Sequence, residues 1–116
     1  MTLESAMRQI HEAGVRAMAV VSRDGSVLAA DLPATVSRET FSIMCATIHG
    51  AGMTVSNELR RSPPKRITLR AAEGTVVIAE VGQRALVVFV LDPGGDFEEI
   101  AARIAPHLEE IARETG

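Results

Sequence analysis

The chain opens with apolar residues at helical spacing and then changes to shorter apolar runs separated by turn residues. The first helix is predicted from the spacing of Leu3, Met7 and Ile10. Thr2 is its candidate N-cap, and Gly14 lies just past its end. Two strand-like runs flank Asp24-Gly25, a dipeptide typical of tight hairpin turns. The pattern therefore predicts a helix and then a hairpin, which Pro33 closes.

The middle of the chain holds a long helical segment followed by three strand-like runs. The helix is predicted to begin after Ser37 and to continue to about Arg61, where Pro63-Pro64 end it. KRITLRA alternates apolar and polar residues, and TVVIAEVG and RALVVFVLD follow across glycine-containing turns, which predicts an antiparallel meander. Residues 85–91 are apolar throughout, so helices are expected on both faces of the sheet.

The last segment is amphipathic at helical spacing. Asp96 and Glu99 form an N-terminal capping pattern, and Pro106 inside the helix predicts a kink near residues 102–106. The element order is α-β-β-α-β-β-β-α. We therefore predict a single α/β domain over residues 1–116, with three α-β-α layers and a five-stranded, mostly antiparallel sheet.

The long helix lacks charge on every side. Between Thr40 and Asn57 there is no Asp, Glu, Lys or Arg, whereas a surface helix normally carries charges on its outward face. At helical spacing, one face is predicted to pack on the sheet through Phe41, Met44, Cys45, Ile48, Gly52, Val55 and Leu59. The opposite face is apolar or weakly polar and consists of Ile43, Ala46, Thr47, Gly50, Met53, Thr54 and Asn57.

That opposite face should not remain in water as a large patch. The simplest cover is the same helix of a second copy, although burial under other elements of a monomer would also satisfy the pattern. The strand at 65–71 has the half-buried pattern of an edge strand, so two copies joined there would share one sheet; alternatively, its basic residues guard the edge. The predicted dimer contact consists of Ile43, Ala46, Thr47, Gly50, Met53, Thr54, Ile67 and Leu69.

Composition argues against several classes of function. The chain has 116 residues, a net charge of −3 and a pI near 5.6, which argues against nucleic acid as a partner because phosphate binding needs a basic surplus. Cys45 is the only cysteine, so no intramolecular disulfide can form and a cytoplasmic location is expected. The acidic N-terminal segment does not resemble a signal peptide, and we expect no membrane insertion.

Few residues suggest chemistry. Cys45 and His49 lie four apart on the long helix, and a dimer would bring together two thiols and two imidazoles, a set that zinc accepts. A buried cysteine is more often a small apolar residue, and no acid accompanies this pair to orient a nucleophile. We therefore predict no metal, no cofactor and no catalytic residue.

Basic residues cluster around the end of the long helix and the third strand. Such clusters usually form a solvated rim. The sharper interpretation is a docking patch for the acidic surface of a partner. The residues concerned are Arg60, Arg61, Lys65, Arg66 and Arg70.

The segments GVRAMAVVSRDGSVLAADLP, KRITLRAAEGTVVIAEVG and ALVVFVLD, with the long helix from Ser37, resemble the roadblock/dynein light chain family, in particular its stand-alone prokaryotic members. The resemblance covers nearly the whole chain. It implies a roadblock/profilin-like fold, a homodimer or a heterodimer with a paralogue, and a non-enzymatic role as regulator or anchor of a small Ras-like GTPase. The family does not work through active-site chemistry of its own, so no catalytic residue is implied.

A small-ligand sensing module of profilin-like architecture is the alternative function. Such a module needs a pocket with convergent polar groups against the central sheet. The interior strands offer few polar side chains, and Glu80 is the main exception. Ligand stabilisation in a thermal-shift screen would favour the sensor over the protein-binding scaffold.

Overall fold

A computed structural model describes residues 2–116 and confirms the predicted order of elements. In chain order the elements are α1 (Leu3–Glu12), β1 (Ala17–Ser22), β2 (Val27–Asp31), α2 (Arg38–Glu58), β3 (Arg66–Ala71), β4 (Gly74–Val81), β5 (Ala85–Leu91) and α3 (Phe97–Thr115). The predicted fold class, a five-stranded sheet between helical layers, is therefore confirmed.

The five strands form one sheet in the order β2-β1-β5-β4-β3, and every neighbouring pair is antiparallel. The apolar strand β5 lies at the centre, with residues 85–89 buried, as its lack of a polar face predicts. β2 and β3 are the two edge strands. The edge position predicted for β3 is thus confirmed, and the sheet has a second open edge at β2.

Helices cover both faces of the sheet unequally. On one face α1 and α3 enclose the larger apolar core, in which Ile10, Phe89 and Ile104 are fully buried. On the other face α2 alone covers a smaller core that includes Ile78 and Val88. Because one helix has to cover this second face, its outer side is left without a further layer from the same chain.

Side-chain caps set the helix starts where the sequence places them. The hydroxyl of Thr2 accepts a hydrogen bond from the Ser5 amide at 3.1 Å, and that of Ser37 accepts one from the Thr40 amide at 3.2 Å. The Asp96 carboxylate accepts one from the Glu98 amide at 2.9 Å. Each helix therefore begins at an oxygen that satisfies an otherwise unpaired backbone N–H.

The end of α2 differs from the sequence prediction. α2 ends at Glu58 rather than near Arg61, because Arg60 adopts a left-handed conformation (φ 54°) and the Arg61 amide donates back to the Ser56 carbonyl at 2.9 Å. The helix is thus closed before the prolines are reached. α3 continues as one helix through Pro106.

Candidate functional site

Among the described residues, four of the six exposed large hydrophobic residues lie on α2 or at its C-cap. The side chains of Ile43 and Met44 are 48% and 50% exposed, and those of Val55 and Leu59 are 58% and 62% exposed. No charged residue interrupts this face between Thr40 and Asn57. A single exposed leucine needs no explanation, but a contiguous apolar face marks an interaction site.

The sequence prediction assigned several residues of α2 to the wrong face. Met44, Val55 and Leu59 were expected on the sheet and are exposed, whereas Ala46 was expected outside and is buried against the sheet. Both faces are apolar, so an apolar stripe alone cannot orient this helix. The polar residues settle its rotation, because Ser42 and His49 are buried and turn their side to the sheet.

The predicted dimer residues divide into three groups. Ile43, Thr47, Gly50, Thr54 and Leu69 are exposed, Met53 and Ile67 are half-buried, and Ala46 is buried within its own subunit. Ala46 is therefore unavailable for the contact predicted for it.

The hydroxyls on this face are occupied inside the helix. Thr47 donates to the Ile43 carbonyl at 2.8 Å, and Thr54 donates to the Gly50 carbonyl at 3.2 Å. Each hydroxyl thus has its donor satisfied by its own helix. These two threonines make the outer face less polar than their residue type suggests.

α2 runs across the sheet from the β1–β2 turn to the edge strand β3. At one end, a Cβ added to Gly25 would lie 3.0 Å from the Ile43 Cα. At the other, a Cβ added to Gly52 would lie 2.7 Å from the Ile67 Cδ1, so the absence of a side chain lets α2 approach β3 closely. Residues 53–58, the last part of α2, come after this contact in the chain.

A polar bridge lies beneath the middle of α2. The His49 Nε2 is 2.8 Å from the Glu80 Oε2, and the Arg23 Nη1 donates to the same oxygen at 3.1 Å. Arg23 also donates through Nε to the Gln83 carbonyl at 3.0 Å. The bridge ties α2 to the β1–β2 turn and to the end of β4.

Partial burial works to raise the pKa of Glu80, but the hydrogen bonds and charges of Arg23 and His49 outweigh it and hold that pKa below its ordinary value. This bridge was not predicted from the sequence. The sequence signals for it were Glu80, a single acid in a largely apolar strand, and His49, a histidine in a charge-free stretch of helix. These residues are 31 positions apart, and their contact depends on the rotation of α2.

The predicted basic cluster does not form one surface. Arg66 lies over the Phe97 ring, 5.0 Å from its centroid, and is hydrogen-bonded to Glu98, so it belongs to the α3 face of the sheet. Arg61 lies on the α2 face, beside Met53 and Pro63. Alternation along β3 places Arg70 with Arg66. A partner could therefore not contact all five basic residues through one flat patch.

The Cys45 thiol is buried. Burial raises the pKa of the Cys45 thiol to about 11, so the reactive thiolate is scarce at neutral pH. Within residues 2–116 no three His, Cys, Asp or Glu side chains come together as a metal site. In the same part of the chain, no helix is long and apolar enough to cross a membrane.

The described grooves are open and lie at the edges of the molecule. One of about 510 Å³ separates α1 from β2, and one of about 360 Å³ lies beside the C-terminal half of α2. A sensing module would instead hold a ligand against the central strands, which are buried here. The exposed outer face of α2 is the better candidate for the functional site.

Comparisons with known proteins agree with this architecture. The sequence model of the Roadblock/LC7 domain matches residues 3–91. An uncharacterized protein of Methanocaldococcus jannaschii is 31% identical over 75 residues, which are 65% of this chain and 64% of that protein. The chain therefore spans less than two thirds of the length of this curated relative.

Solved structures share the fold at low sequence identity. Myxococcus xanthus MglB superposes with a TM-score of 0.84 at 13% identity, over 96% of this chain and 92% of that chain. The gliding protein MglB of Thermus thermophilus gives a TM-score of 0.79 at 21% identity, over 97% and 90%. Acanthamoeba castellanii profilin II gives 0.56 at 14% identity, over 90% of each chain.

Proposed function

Because the chain belongs to the Roadblock/LC7 domain family, we propose that it is a non-enzymatic, dimeric scaffold that regulates or anchors a small Ras-like GTPase. The partner in the dimer is a second copy or a paralogue. The observation that carries the proposal is the uncovered, charge-free outer face of α2 beside the open edge strand β3. The fold likeness to the gliding protein MglB is consistent with it.

Exposure and chain direction support pairing through α2 and β3 together. Val55 and Leu59 lie after the point where α2 contacts β3, and Leu69 of β3 is 42% exposed on the same side of the sheet. A second copy related by a two-fold axis at this edge would place its own α2 beside the first. The apolar side chains of each copy would then be covered by those of the other.

The free main chain of β3 supports the same contact. The Glu80 amide donates to the Lys65 carbonyl at 3.0 Å, which fixes the alternation along the β3–β4 ladder. The main-chain groups of Lys65, Ile67 and Leu69 therefore face β4, and those of Arg66, Thr68 and Arg70 face the open edge. A strand that joins this edge finds three residues with unpaired donors and acceptors.

The dimer is tested with Gly50→Glu. A Cβ at Gly50 meets nothing within 4 Å in the subunit, and replacing a helical glycine by glutamate gains up to about 1 kcal/mol of helix propensity. The isolated subunit should therefore fold at least as well as before. In a dimer the new carboxylate would be buried without a partner, which costs several kcal/mol of association, on the order of 3–5.

The measurement is the molar mass in solution by sedimentation or light scattering. We expect the parent to be dimeric at micromolar concentration and Gly50→Glu to be monomeric with an intact circular dichroism spectrum. Ala102→Glu, which also adds glutamate at an exposed helical position, is the matched control and should remain dimeric. A Gly50→Glu protein of parental mass would contradict the contact.

The GTPase role is tested with a purified Ras-like GTPase from the same organism, loaded with GTP or with GDP. We expect one nucleotide state to bind the scaffold more tightly, and a hydrolysis assay then separates a regulator from an anchor. Gly50→Glu should weaken this binding if the dimer is the binding unit, and Ala102→Glu should not. Equal absence of binding in both nucleotide states would overturn the proposed partner.

A further inference from the structure

The second open edge of the sheet, at β2, differs from the edge at β3. β2 pairs only with β1, and its residues Val27–Ala30 include no charged side chain and no proline. β3, in contrast, carries Arg66 and Arg70. Edge strands that remain free are usually protected by charges, prolines or a covering element. The protection of β2 is limited to its short length and to one exposed charge at its end, Asp31.

A groove of about 510 Å³ runs beside this edge, between β2 and one side of α1. Its α1 wall is a stripe at helical spacing formed by Glu4, Met7, Arg8 and His11. Within residues 2–116, Glu4 and Arg8 have no ion pair with each other or with another side chain. The wall therefore presents one free acid and one free base, four residues apart.

Such a stripe is complementary to itself under a two-fold axis. When two copies of α1 face each other antiparallel, Glu4 of each copy comes opposite Arg8 of the other, and both charges are matched. β2 is also compatible with itself: antiparallel pairing about Ala29 would set Val27 opposite Asp31 and would oppose no like charges. A partner with a net charge of one sign would match only half of this wall.

We infer that the β2 edge, with the Glu4/Arg8 stripe of α1, binds a second copy of this chain. This contact is separate from the dimer contact of the proposed function, which uses the opposite edge of the sheet. Two isologous contacts at opposite edges extend the same sheet in both directions. Copies joined at both edges grow into an open-ended ribbon as the concentration rises.

The experiment measures the weight-average mass by sedimentation from micromolar to millimolar concentration. We expect the parent to grow past two copies. Glu4→Arg alone and Arg8→Glu alone should each weaken the β2 contact by at least about tenfold, because each places like charges opposite across the two-fold. An equimolar mixture of the two variants should regain growth, since the Glu4→Arg chain then faces the Arg8→Glu chain with opposite charges.

Thermal unfolding of each variant checks that α1 still folds. The inference is overturned if the parent does not grow past two copies, if the single charge reversals leave growth unchanged, or if the mixture fails to regain it. If the mixture fails to regain growth, Glu4 and Arg8 act within the subunit. If the parent does not grow past two copies, the β2 edge is free to bind an extended segment of another protein.

The Gly50→Glu background keeps this inference distinct from the proposed function. With the β3 contact removed, copies joined at β2 should stop at two, and Glu4→Arg in that background should return the protein to a monomer. If Gly50→Glu leaves growth past two copies intact, the proposed dimer contact fails. If Gly50→Glu stays monomeric even at millimolar concentration, the β2 contact fails and the proposed function stands.

Discussion

His49 lies on the buried side of α2, in a part of the helix that carries no charged residue, and its imidazole is hydrogen-bonded to one acid. The Nε2–Oε2 distance to Glu80 is 2.8 Å, and only 6% of the His49 side chain is exposed. Loss of the acid would leave a buried imidazole nitrogen without its partner, which costs about 1–3 kcal/mol. The bridge is therefore a determinant of how α2 sits on the sheet.

Glu80→Gln tests the bridge through the pH dependence of stability. The pKa of Glu80 is lowered from 4.5 in the folded chain, so its contribution to the free energy of unfolding is present above pH 4.5 and is lost as the pH falls through the folded pKa. At neutral pH we expect Glu80→Gln to have a free energy of unfolding about 1–2 kcal/mol lower than that of the parent. Its urea midpoint should be lower accordingly. The difference should disappear in acid below the folded pKa.

Glu109→Gln, at an exposed position of α3, is the control for loss of a carboxylate and should leave stability nearly unchanged. All samples are compared at one protein concentration, since association stabilises the folded chain. A Glu80→Gln protein as stable as the parent at neutral pH would show that the bridge contributes nothing.

At the scale of elements, the sequence predicted the order of helices and strands, the N-terminal caps and the edge position of β3. It did so because those features depend on local signals: a hydroxyl before an apolar helix, Asp24-Gly25 between two strands, a polar–apolar alternation in residues 65–71. The rotation of α2 is not a local property. It depends on Glu80, which follows His49 by 31 positions and becomes its neighbour only in the folded sheet.

The candidate site was predicted only in part, because the rotation of α2 decides which of its residues face outward. The absence of charge on α2 is visible in the sequence and led to the outer face. The membership of that face was partly wrong, since Ala46 is buried and Met44 and Val55 are exposed. The separation of Arg61 from Arg66 onto two faces of the sheet could not be read from a cluster defined by sequence distance.

The register between two β3 strands is a prediction at this scale. An axis through Thr68 would oppose Arg66 and the partner's Arg70, two like charges. An axis through Ile67 would place Pro64, which has no N–H, opposite the partner's Arg70 at a position that needs a donor. An axis through Leu69 avoids both conflicts and sets the two Leu69 side chains face to face.

Leu69→Cys should therefore form an intermolecular disulfide under mild oxidation, because a directly opposed, non-hydrogen-bonded pair has its Cα atoms about 4.5 Å apart, which a disulfide can span. Non-reducing electrophoresis measures the cross-linked fraction. Thr68→Cys is the control and should cross-link poorly; the native Cys45 is buried and should stay reduced. Efficient cross-linking of Thr68→Cys with none at Leu69 would place the axis one residue away.

Pro106 offers a second prediction for an element. α3 continues through this exposed residue, and the proline cannot donate the hydrogen bond that a helix interior otherwise makes. Pro106→Ala should raise the free energy of unfolding by about 1–3 kcal/mol. Thermal denaturation measures the change, and Ala105→Gly, at a neighbouring exposed position, should lower stability instead. A Pro106→Ala protein of lower stability would mean that Pro106 supports the packing of α3.

At the scale of the whole molecule, the two edges of the sheet should respond differently to salt. The proposed β3 contact is made of apolar side chains and main-chain hydrogen bonds, whereas the proposed β2 contact includes exposed ion pairs of Glu4 and Arg8. Salt screens exposed charges that lie farther apart than the Debye length, which is about 10 Å at 0.1 M and about 3 Å at 1 M. Raising the salt concentration should therefore halt growth past two copies and leave the dimer intact.

The measurement is sedimentation of the parent across a salt series at fixed protein concentration. Sulfate is a poor choice of anion, because it also strengthens apolar association, so sodium chloride is used. Growth that persists at high salt would mean that the strand pairing of β2 outweighs its charges. Dissociation to single copies would mean that the α2 contact is more polar than its side chains indicate.

The bare outer side of α2 also has a consequence for the time between synthesis and pairing. In the proposed dimer, a newly finished subunit would have to meet a second copy by diffusion, and at rate constants of about 10⁵–10⁷ M⁻¹s⁻¹ the search would take on the order of a second at micromolar concentration. At nanomolar levels the same search takes many minutes. During that time the apolar face of α2 is exposed to quality-control proteases and chaperones. The steady-state level of the protein in a cell should therefore rise more steeply than its rate of synthesis.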